Sequence, residues 1–390
     1  MSRKRNNCFL MILWPVTTLL VIGGLPLNLR ADDTPPVTAA QQLGDKLIGA
    51  AFSGTTSEAE ALLNQGADTE YRRRKDGHTP LMHAAENGST DIVRLLVKHG
   101  AKLDPKDTFH GNTPLILAAL NGRLDIVKIL VEHGANINVN YTTHGHDYLL
   151  IAEGIGPPNP TPLGSAAQEG HTDIIEYLLS KGAKINGTDG CSYTPLMWAA
   201  ETGGSETVKV LLRHHANVNI KTESGETALN LASLHGRVEI VKLLVEGKTD
   251  VNTNVIEPRH GSPQTSKRSE PDSPSSPRPV VVKGQTVAFK GPWYGKPYYP
   301  TPLGSAALLG QTAVIEYLLS KGARIDGRDR SMYTPLMWAS GAARVEGVKA
   351  LLLHGADVTL KADDGKTARS LATERDATAI LALLDGAKKE

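Results

Sequence analysis

The sequence predicts an all-α protein in which short helix pairs stack into a solenoid, and three observations support that fold class. A motif that opens with Thr-Pro-Leu recurs through most of the 390 residues, with most spacings 33 or 34 residues. Each copy continues with two small residues, a glycine and an apolar pattern of helical period. The segment 161–183 returns with few changes as 301–323. Repetition at a fixed spacing indicates a structural unit that was copied, rather than a catalytic centre assembled once.

Each repeat is predicted to hold two helices. Threonine is a good N-cap, and proline at the next position suits a first helical turn because its missing N–H costs nothing there. The small pair then lets a neighbouring helix approach closely. In the second half of the repeat, Ile174, Ile175 and Leu178 form one apolar stripe, and Gly182 ends the helix. Neither helix can bury its stripe within one repeat, so the repeats must stack. The opening threonines are Thr79, Thr113, Thr161, Thr194, Thr227, Thr301, Thr334 and Thr367.

On these motifs the sequence resembles the ankyrin repeat family, whose period is about 33 residues and whose repeats open with a Thr-Pro-Leu-His-x-Ala pattern. The resemblance covers roughly residues 45 to 386 and implies helix–turn–helix units with β-turn or hairpin fingers. It also implies protein binding. The slot of the family's histidine holds other residues, so packing is expected to replace the histidine-mediated hydrogen bonds between repeats. That slot holds Met82, Ile116, Gly164, Met197, Asn230, Gly304, Met337 and Ser370.

The repeat spacing fails twice, immediately before Thr161 and before Thr301, where insertions enter at the turn between repeats. The first stretch of the long insertion is rich in Pro, Ser and charge and is expected to be disordered. β-favouring residues around Gly284 and aromatic residues follow it. The predicted segments are repeats 1–3 at 45–138, a finger-loop insertion at 139–160, repeats 4–6 at 161–252, the long insertion at 253–300 with its disordered part at 257–279, and repeats 7–9 with a polar C-terminal cap at 301–386.

The N-terminus has the layout of a secretory signal peptide. Three basic residues precede an apolar run from Phe9 to about Leu27, and a polar stretch follows Ala31. We therefore predict a signal peptide at 1–31, a linker at 32–44 and an exported protein, periplasmic or secreted. The alternative is an uncleaved membrane anchor, although proline and glycine interrupt the apolar run.

The resemblance places partner contacts at the finger tips and on the surface of the first helices. Aromatic residues in the long insertion could add to this surface, or could pack that loop onto its own repeats. The two insertions would stand about 30 Å apart and flank a groove. The candidate contacts are Lys75, Asp76, His78, Phe109, His110, Tyr193 and Tyr333 at finger tips, the pairs Glu86 with Asn87, Gln168 with Glu169 and Glu201 with Thr202, and Trp293, Tyr294, Tyr298 and Tyr299 in the insertion.

The sequence carries no recognisable enzyme signature, so we expect no catalytic residue, cofactor or metal. The formal charge of +1 gives no electrostatic case for nucleic acid or for a membrane beyond the N-terminal signal or anchor. Ser165 and Trp198, with their copies 140 residues on, are expected in the core. The predicted function is a monomeric, non-enzymatic scaffold that binds a protein partner. The alternatives are a metal-dependent enzyme or ligand site in the insertions, around His144 and His146, and an envelope-retained structural or toxin-neutralising protein.

Overall fold

Eighteen helices and one small antiparallel sheet make up the part of the chain that the structure, a computed structural model, describes. The segment Ala39–Glu390 forms one compact unit. The described residues are 38–73, 77–108, 111–139, 161–190, 192–202, 204–222, 225–254, 280–282, 285–287 and 301–387.

The helices follow one another in pairs, so the all-α solenoid predicted from the repeats is confirmed. The pairs are α1 Ala39–Ser53 with α2 Thr56–Asn64, α3 Pro80–Asn87 with α4 Thr90–Lys98, α5 Pro114–Leu120 with α6 Leu124–Glu132, α7 Pro162–Glu169 with α8 Thr172–Ser180, α9 Pro195–Thr202 with α10 Ser205–Arg213, α11 Ala228–Leu234 with α12 Val238–Glu246, α13 Pro302–Leu309 with α14 Thr312–Ser320, α15 Pro335–Gly341 with α16 Val345–Leu353, and α17 Ala368–Thr373 with α18 Thr378–Gly386.

The repeated threonine begins the first helix of each repeat in which it occurs. In α3 the Thr79 hydroxyl accepts a hydrogen bond from the Met82 backbone N–H, and Pro80 occupies the first turn. The corresponding bond forms at each of the other seven opening threonines, from Thr113 to Thr367. Gly88 then ends α3 with φ of +87°, a left-handed conformation that glycine adopts without strain. The predicted capping is therefore confirmed.

The core is a continuous row of side chains between neighbouring helix pairs. Ile174, Ile175 and Leu178 of α8 are buried, as their spacing predicts. The row does not break at the insertions, because α5 packs directly against α7 and α11 against α13. The repeats on either side of each insertion therefore stack as neighbours do elsewhere.

Within the long insertion the structure describes two short strands, β1 Val280–Val282 and β2 Gln285–Val287. They pair antiparallel, with Val281 opposite Thr286. The β-favouring sequence here therefore forms a hairpin. None of the described helices is long and apolar enough to span a membrane, and the apolar run near the N-terminus lies outside the described residues.

Hydrogen bonds, as well as packing, join neighbouring repeats, which corrects the expectation that packing alone would replace the family's histidine. A side chain just before the second helix of one repeat donates a hydrogen bond to a backbone carbonyl at the end of the first helix of the preceding repeat. Arg123 Nε donates to Glu86 O at 3.3 Å, and Arg344 Nε donates to Leu308 O at 3.2 Å. The same contact is made by His171 to Leu120 O, Gln311 to Leu234 O and Arg375 to Gly341 O. Side chains at other positions of the repeat therefore make the hydrogen bonds between repeats that the family's histidine would make.

A second row of hydrogen bonds links the turns that follow the second helices. Asp104 accepts from the Asn136 backbone N–H at 3.0 Å. Asn138 accepts from Lys184 N, and Asn252 accepts from Arg324 N, each at 2.8 Å. The last two bonds connect repeats that are separated in sequence by an insertion. Each such bond contributes about 0.5–1.5 kcal/mol, and together they fix the register of the stack.

Candidate partner-binding surface

The predicted contact residues divide into those that the structure describes and those that it does not. Residues on the described chain fall into two sets, exposed positions at the ends of first helices and positions at the finger turns. The following predicted contacts lie outside the described residues: Lys75, Asp76, Phe109, His110, Trp293, Tyr294, Tyr298 and Tyr299. His144 and His146 of the alternative metal site also lie outside them.

The three predicted pairs occupy the last two positions of first helices. Glu86 with Asn87 ends α3, Gln168 with Glu169 ends α7, and Glu201 with Thr202 ends α9. In each pair the first residue is half-buried and the second is exposed. Because equivalent positions of stacked repeats lie on the same side of a solenoid, these pairs share one edge of the stack.

Part of the hydrogen-bonding capacity on this edge is used within the protein. Asn87 Nδ2 donates to His83 O, and Thr202 Oγ1 donates to Trp198 O, both at 3.0 Å and both within one helix. A Glu201 oxygen lies 3.9 Å from His235 Nε2. The amide and hydroxyl groups are thus already held against their own helices.

His235 lies beside Glu201 on this edge. Burial is the main cause that lowers its pKa, and the nearby Arg237 guanidinium lowers it further. The edge between α9 and α11 therefore holds a partly exposed carboxylate beside a mostly buried imidazole.

Tyr193 and Tyr333 are core residues, which corrects the expectation that their rings contribute to a binding surface. Their relative exposures are 4% and 2%. Each ring lies against the tryptophan five residues later, with ring centroids 5.2 Å apart for Tyr193–Trp198 and 5.3 Å for Tyr333–Trp338. The Thr-Pro that follows each tyrosine starts a helix, and that helix brings the tryptophan back over the tyrosine ring.

A buried aspartate fastens each of these finger turns to the helix that follows. Asp189 accepts from the Trp198 indole N–H at 3.0 Å and from the Tyr193 backbone N–H at 2.9 Å. Asp329 makes the corresponding bonds at 2.8 Å and 2.9 Å. Burial raises the pKa of Asp329 to about 6, although its hydrogen bonds act in the opposite direction.

The sequence analysis missed these aspartates. The available signal was an aspartate nine residues before each of two equivalent tryptophans. The core placement predicted for Trp198 and Trp338 is confirmed, since both are buried in the helix pairs. Ser165 and Ser305 are also buried inside α7 and α13, as expected of packing residues.

A cluster of histidine and carboxylate side chains lies at the start of the same edge. His78 Nδ1 is 3.8 Å from a Glu86 oxygen, and His78 Nε2 is 3.7 Å from a buried Asp107 oxygen. His83, in α3, is buried at 3% exposure, and its ring centroid is 5.0 Å from that of His78. The sequence analysis named His78 and Glu86 as contacts but missed His83, which occupies the variable position of the opening motif, and Asp107, which lies six residues before Thr113.

One family model matches this chain in three places. Its description is "Ankyrin repeats (3 copies)", and it covers residues 47–141, 163–255 and 290–362. Together these stretches span more than half of the 390 residues. Their boundaries follow the two insertions, since each match ends or begins close to one of them.

Proposed function

Because the chain belongs to the ankyrin repeat family, whose repeats form protein–protein interaction domains, we propose that it is a non-enzymatic scaffold that holds one protein partner outside the cytoplasm. The observation that carries this proposal is the row of equivalent, exposed positions at the ends of α3, α7 and α9. Such a row offers a regular surface that a folded partner can contact at several repeats at once.

The partner would sit between the two insertions. Both insertions enter the chain just before a repeat that opens with Thr-Pro-Leu-Gly-Ser-Ala-Ala, at Thr161 and at Thr301. Three helix pairs, from α7 to α12, separate those points and stack without a break. With about 10 Å for each packed helix layer, the insertions stand roughly 30 Å apart. That span fits a small protein domain or an extended segment.

The floor of this groove is polar and its proposed flank is aromatic. Glu169 and Thr202 are exposed on the floor, and Glu201 adds a carboxylate. Trp293 and Tyr294 of the long insertion would supply the large apolar contacts that dominate protein interfaces. Tyr193 drops out of this surface because its ring is buried.

The remaining parts of the proposal come from the sequence. Export is supported by the basic start, the apolar run and Ala31. A charge of +1 supports a protein partner over nucleic acid.

Site-specific photo-crosslinking in the source cells tests the proposal. A photoreactive amino acid placed at Tyr294, Glu169 or Thr202 should capture the same protein from all three sites. The control positions Lys128 and Lys242 lie on the second helices α6 and α12, away from the helix ends that form the groove floor. Equal capture at the control positions, or a different set of proteins at each groove position, would contradict the proposal.

A further inference from the structure

We propose that His78, His83 and Glu86 form a binding site for a divalent transition-metal ion, with Zn²⁺ the best fit, in the first repeat that opens with Thr-Pro-Leu. Each of the three residues offers one ligand atom, and these atoms all lie within 4.8 Å of one another. Two imidazoles with one carboxylate is a donor set that zinc takes in proteins, with a water molecule as fourth ligand.

The local structure explains why the three side chains converge. His83 and Glu86 are three residues apart in α3, so they lie on the same face of the helix. His78 precedes the N-cap Thr79, and its carbonyl accepts a hydrogen bond from Arg73 N at 3.1 Å, which holds it next to the start of the helix. The turn and the helix therefore present their ligands to one point.

The three ligand atoms, which lie within 4.8 Å of one another, must move closer together to bind one ion. Ligand atoms in a tetrahedral zinc site with bonds of 2.0–2.2 Å lie about 3.3–3.6 Å apart. His78 Nδ1 and the Glu86 oxygen are already 3.8 Å apart. Glu86 is half-buried, with its side chain 41% exposed, so a rotamer change can bring its carboxylate closer to the rings.

Asp107 supplies the outer support that metal-bound histidines have. Its Oδ2 faces His78 Nε2 at 3.7 Å, on the opposite side of the ring from Glu86. Its Oδ1 accepts from the Gly111 backbone N–H at 2.8 Å, which fixes the carboxylate in place. At 3.7 Å the two atoms are too far apart for a hydrogen bond, so the ring must shift slightly toward Asp107. A carboxylate that accepts a hydrogen bond from Nε2–H leaves the Nδ1 lone pair directed at the metal.

The cluster spans the boundary between the protein interior and the solvent. His83 is 3% exposed. The rings of His83 and Phe52 meet edge to face, with centroids 6.3 Å apart. Glu86 lies on the solvent side and gives an ion a route of entry. The cluster therefore has a buried histidine at its base and a partly exposed carboxylate at its mouth, with His78 beside both.

The alternative is a polar cluster without a metal, in which a protonated His78 bridges Glu86 and Asp107. The two interpretations differ in their response to zinc. Isothermal titration of the full chain, first stripped with EDTA, should show one Zn²⁺ bound at this cluster with a Kd below about 10 µM. Saturating zinc should also raise the melting temperature, because an ion that binds the folded state stabilises it. Co²⁺ should give the strong visible absorption of a four-coordinate site.

Two sets of variants locate the ion. Glu86→Gln keeps the size of a half-buried side chain and should weaken zinc binding at this site by at least tenfold, as should His78→Gln. His214→Gln is the matched control, because His214 Nε2 pairs with Glu176 at 2.6 Å on the exposed surface. Binding in this control should be unchanged. The pair His144→Gln with His146→Gln controls for the sequence His-x-His in the first insertion.

The circular dichroism spectrum of each variant should match that of the wild type. A further variant, His83→Gln, changes a buried ligand. If it does not fold, the zinc affinity of Glu86→Gln decides whether the ion binds at this cluster. The proposal is overturned if the wild type binds no zinc at 100 µM. It is also overturned if Glu86→Gln and His78→Gln bind zinc as the wild type does. Loss of binding only in the variant changed at His144 and His146 would be one such result. The partner proposed above plays no part in this test.

Discussion

Trp338 donates its indole N–H to Asp329 across 2.8 Å, and Trp198 makes the same bond to Asp189 across 3.0 Å. Each bond ties the turn before a Thr-Pro motif to the first helix that follows it. The pair of contacts recurs at a separation of 140 residues, which matches the offset between the duplicated segments. The duplication therefore preserved a buried polar contact as well as the apolar pattern, and this contact is present on both sides of the long insertion.

Removal of the indole donor should destabilise the protein. Trp338→Phe retains an aromatic ring but leaves the buried Asp329 oxygen without that hydrogen bond, at a cost of about 1–3 kcal/mol. Urea unfolding followed by far-UV circular dichroism measures the change. Leu353→Ala is the control, since Leu353 is 84% exposed and its loss should cost less than about 0.5 kcal/mol. Equal stability of the two variants would contradict the role given to the bond.

The buried carboxyl should also make stability depend on pH. The pKa of Asp329 is about 6 in the folded protein against an ordinary 3.8. Between these values the folded state binds more protons than the unfolded state, so stability falls as the pH rises. The contribution is full below about pH 4 and is lost as the pH rises through 6.

Asparagine does not titrate, so the variant Asp329→Asn isolates the contribution of the Asp329 carboxyl to the pH dependence of stability. The unfolding free energy of the wild type minus that of the variant should fall by about 1–3 kcal/mol between about pH 4 and pH 7. Urea titrations at five pH values measure it, and the difference cancels the titration of the other carboxylates. A constant difference across this range would show that Asp329 ionises normally in the folded protein.

The first part of the long insertion should be dispensable for stability. Because α11 and α13 pack directly, deletion of residues 257–279 removes no contact between those helices. We expect the melting temperature to change by less than about 2 °C. Asn252→Ala serves as the comparison, because Asn252 accepts from Arg324 N at 2.8 Å and donates to Gly322 O at 3.1 Å across the insertion. That variant should lose about 1 kcal/mol or more. A larger loss from the deletion would mean that the insertion supports the stack.

Export predicts a processed N-terminus. The layout of the first thirty-one residues predicts cleavage after Ala31, so N-terminal sequencing of protein from the source cells should begin at Asp32. Cell fractionation should place that species outside the cytoplasm. An intact Met1 on soluble cytoplasmic protein would contradict export.

The periodic parts of the molecule could be predicted from sequence because each depends on a local rule. Thr79 and its equivalents cap helices through their own hydroxyls, and Gly88 takes a left-handed conformation within one turn. The contacts between repeats could not be predicted in the same way. Arg123 reaches Glu86 O from 37 residues away, and no local pattern identifies that pairing.

The candidate site was predicted less well than the fold. Tyr193 was predicted at the surface because it lies in a turn. Its ring instead packs against Trp198, and its backbone N–H donates to the buried Asp189. His83 lies in a helix between the buried residues Met82 and Ala84, and only the fold brings it to His78. The residues at the ends of α3, α7 and α9 lie at exposed or half-buried positions, as the repeat register predicts.

The central claim is that a protein partner binds in the groove between the two insertions. Once crosslinking has identified the partner, its affinity for the full chain is measured by isothermal titration, for the wild type and for Trp293→Ala with Tyr294→Ala. The account predicts that the double change weakens binding by more than ~1 kcal/mol, about fivefold or more, while the melting temperature stays nearly the same. Unchanged affinity together with a lowered melting temperature would contradict it, because these aromatic residues would then pack the loop onto its own repeats.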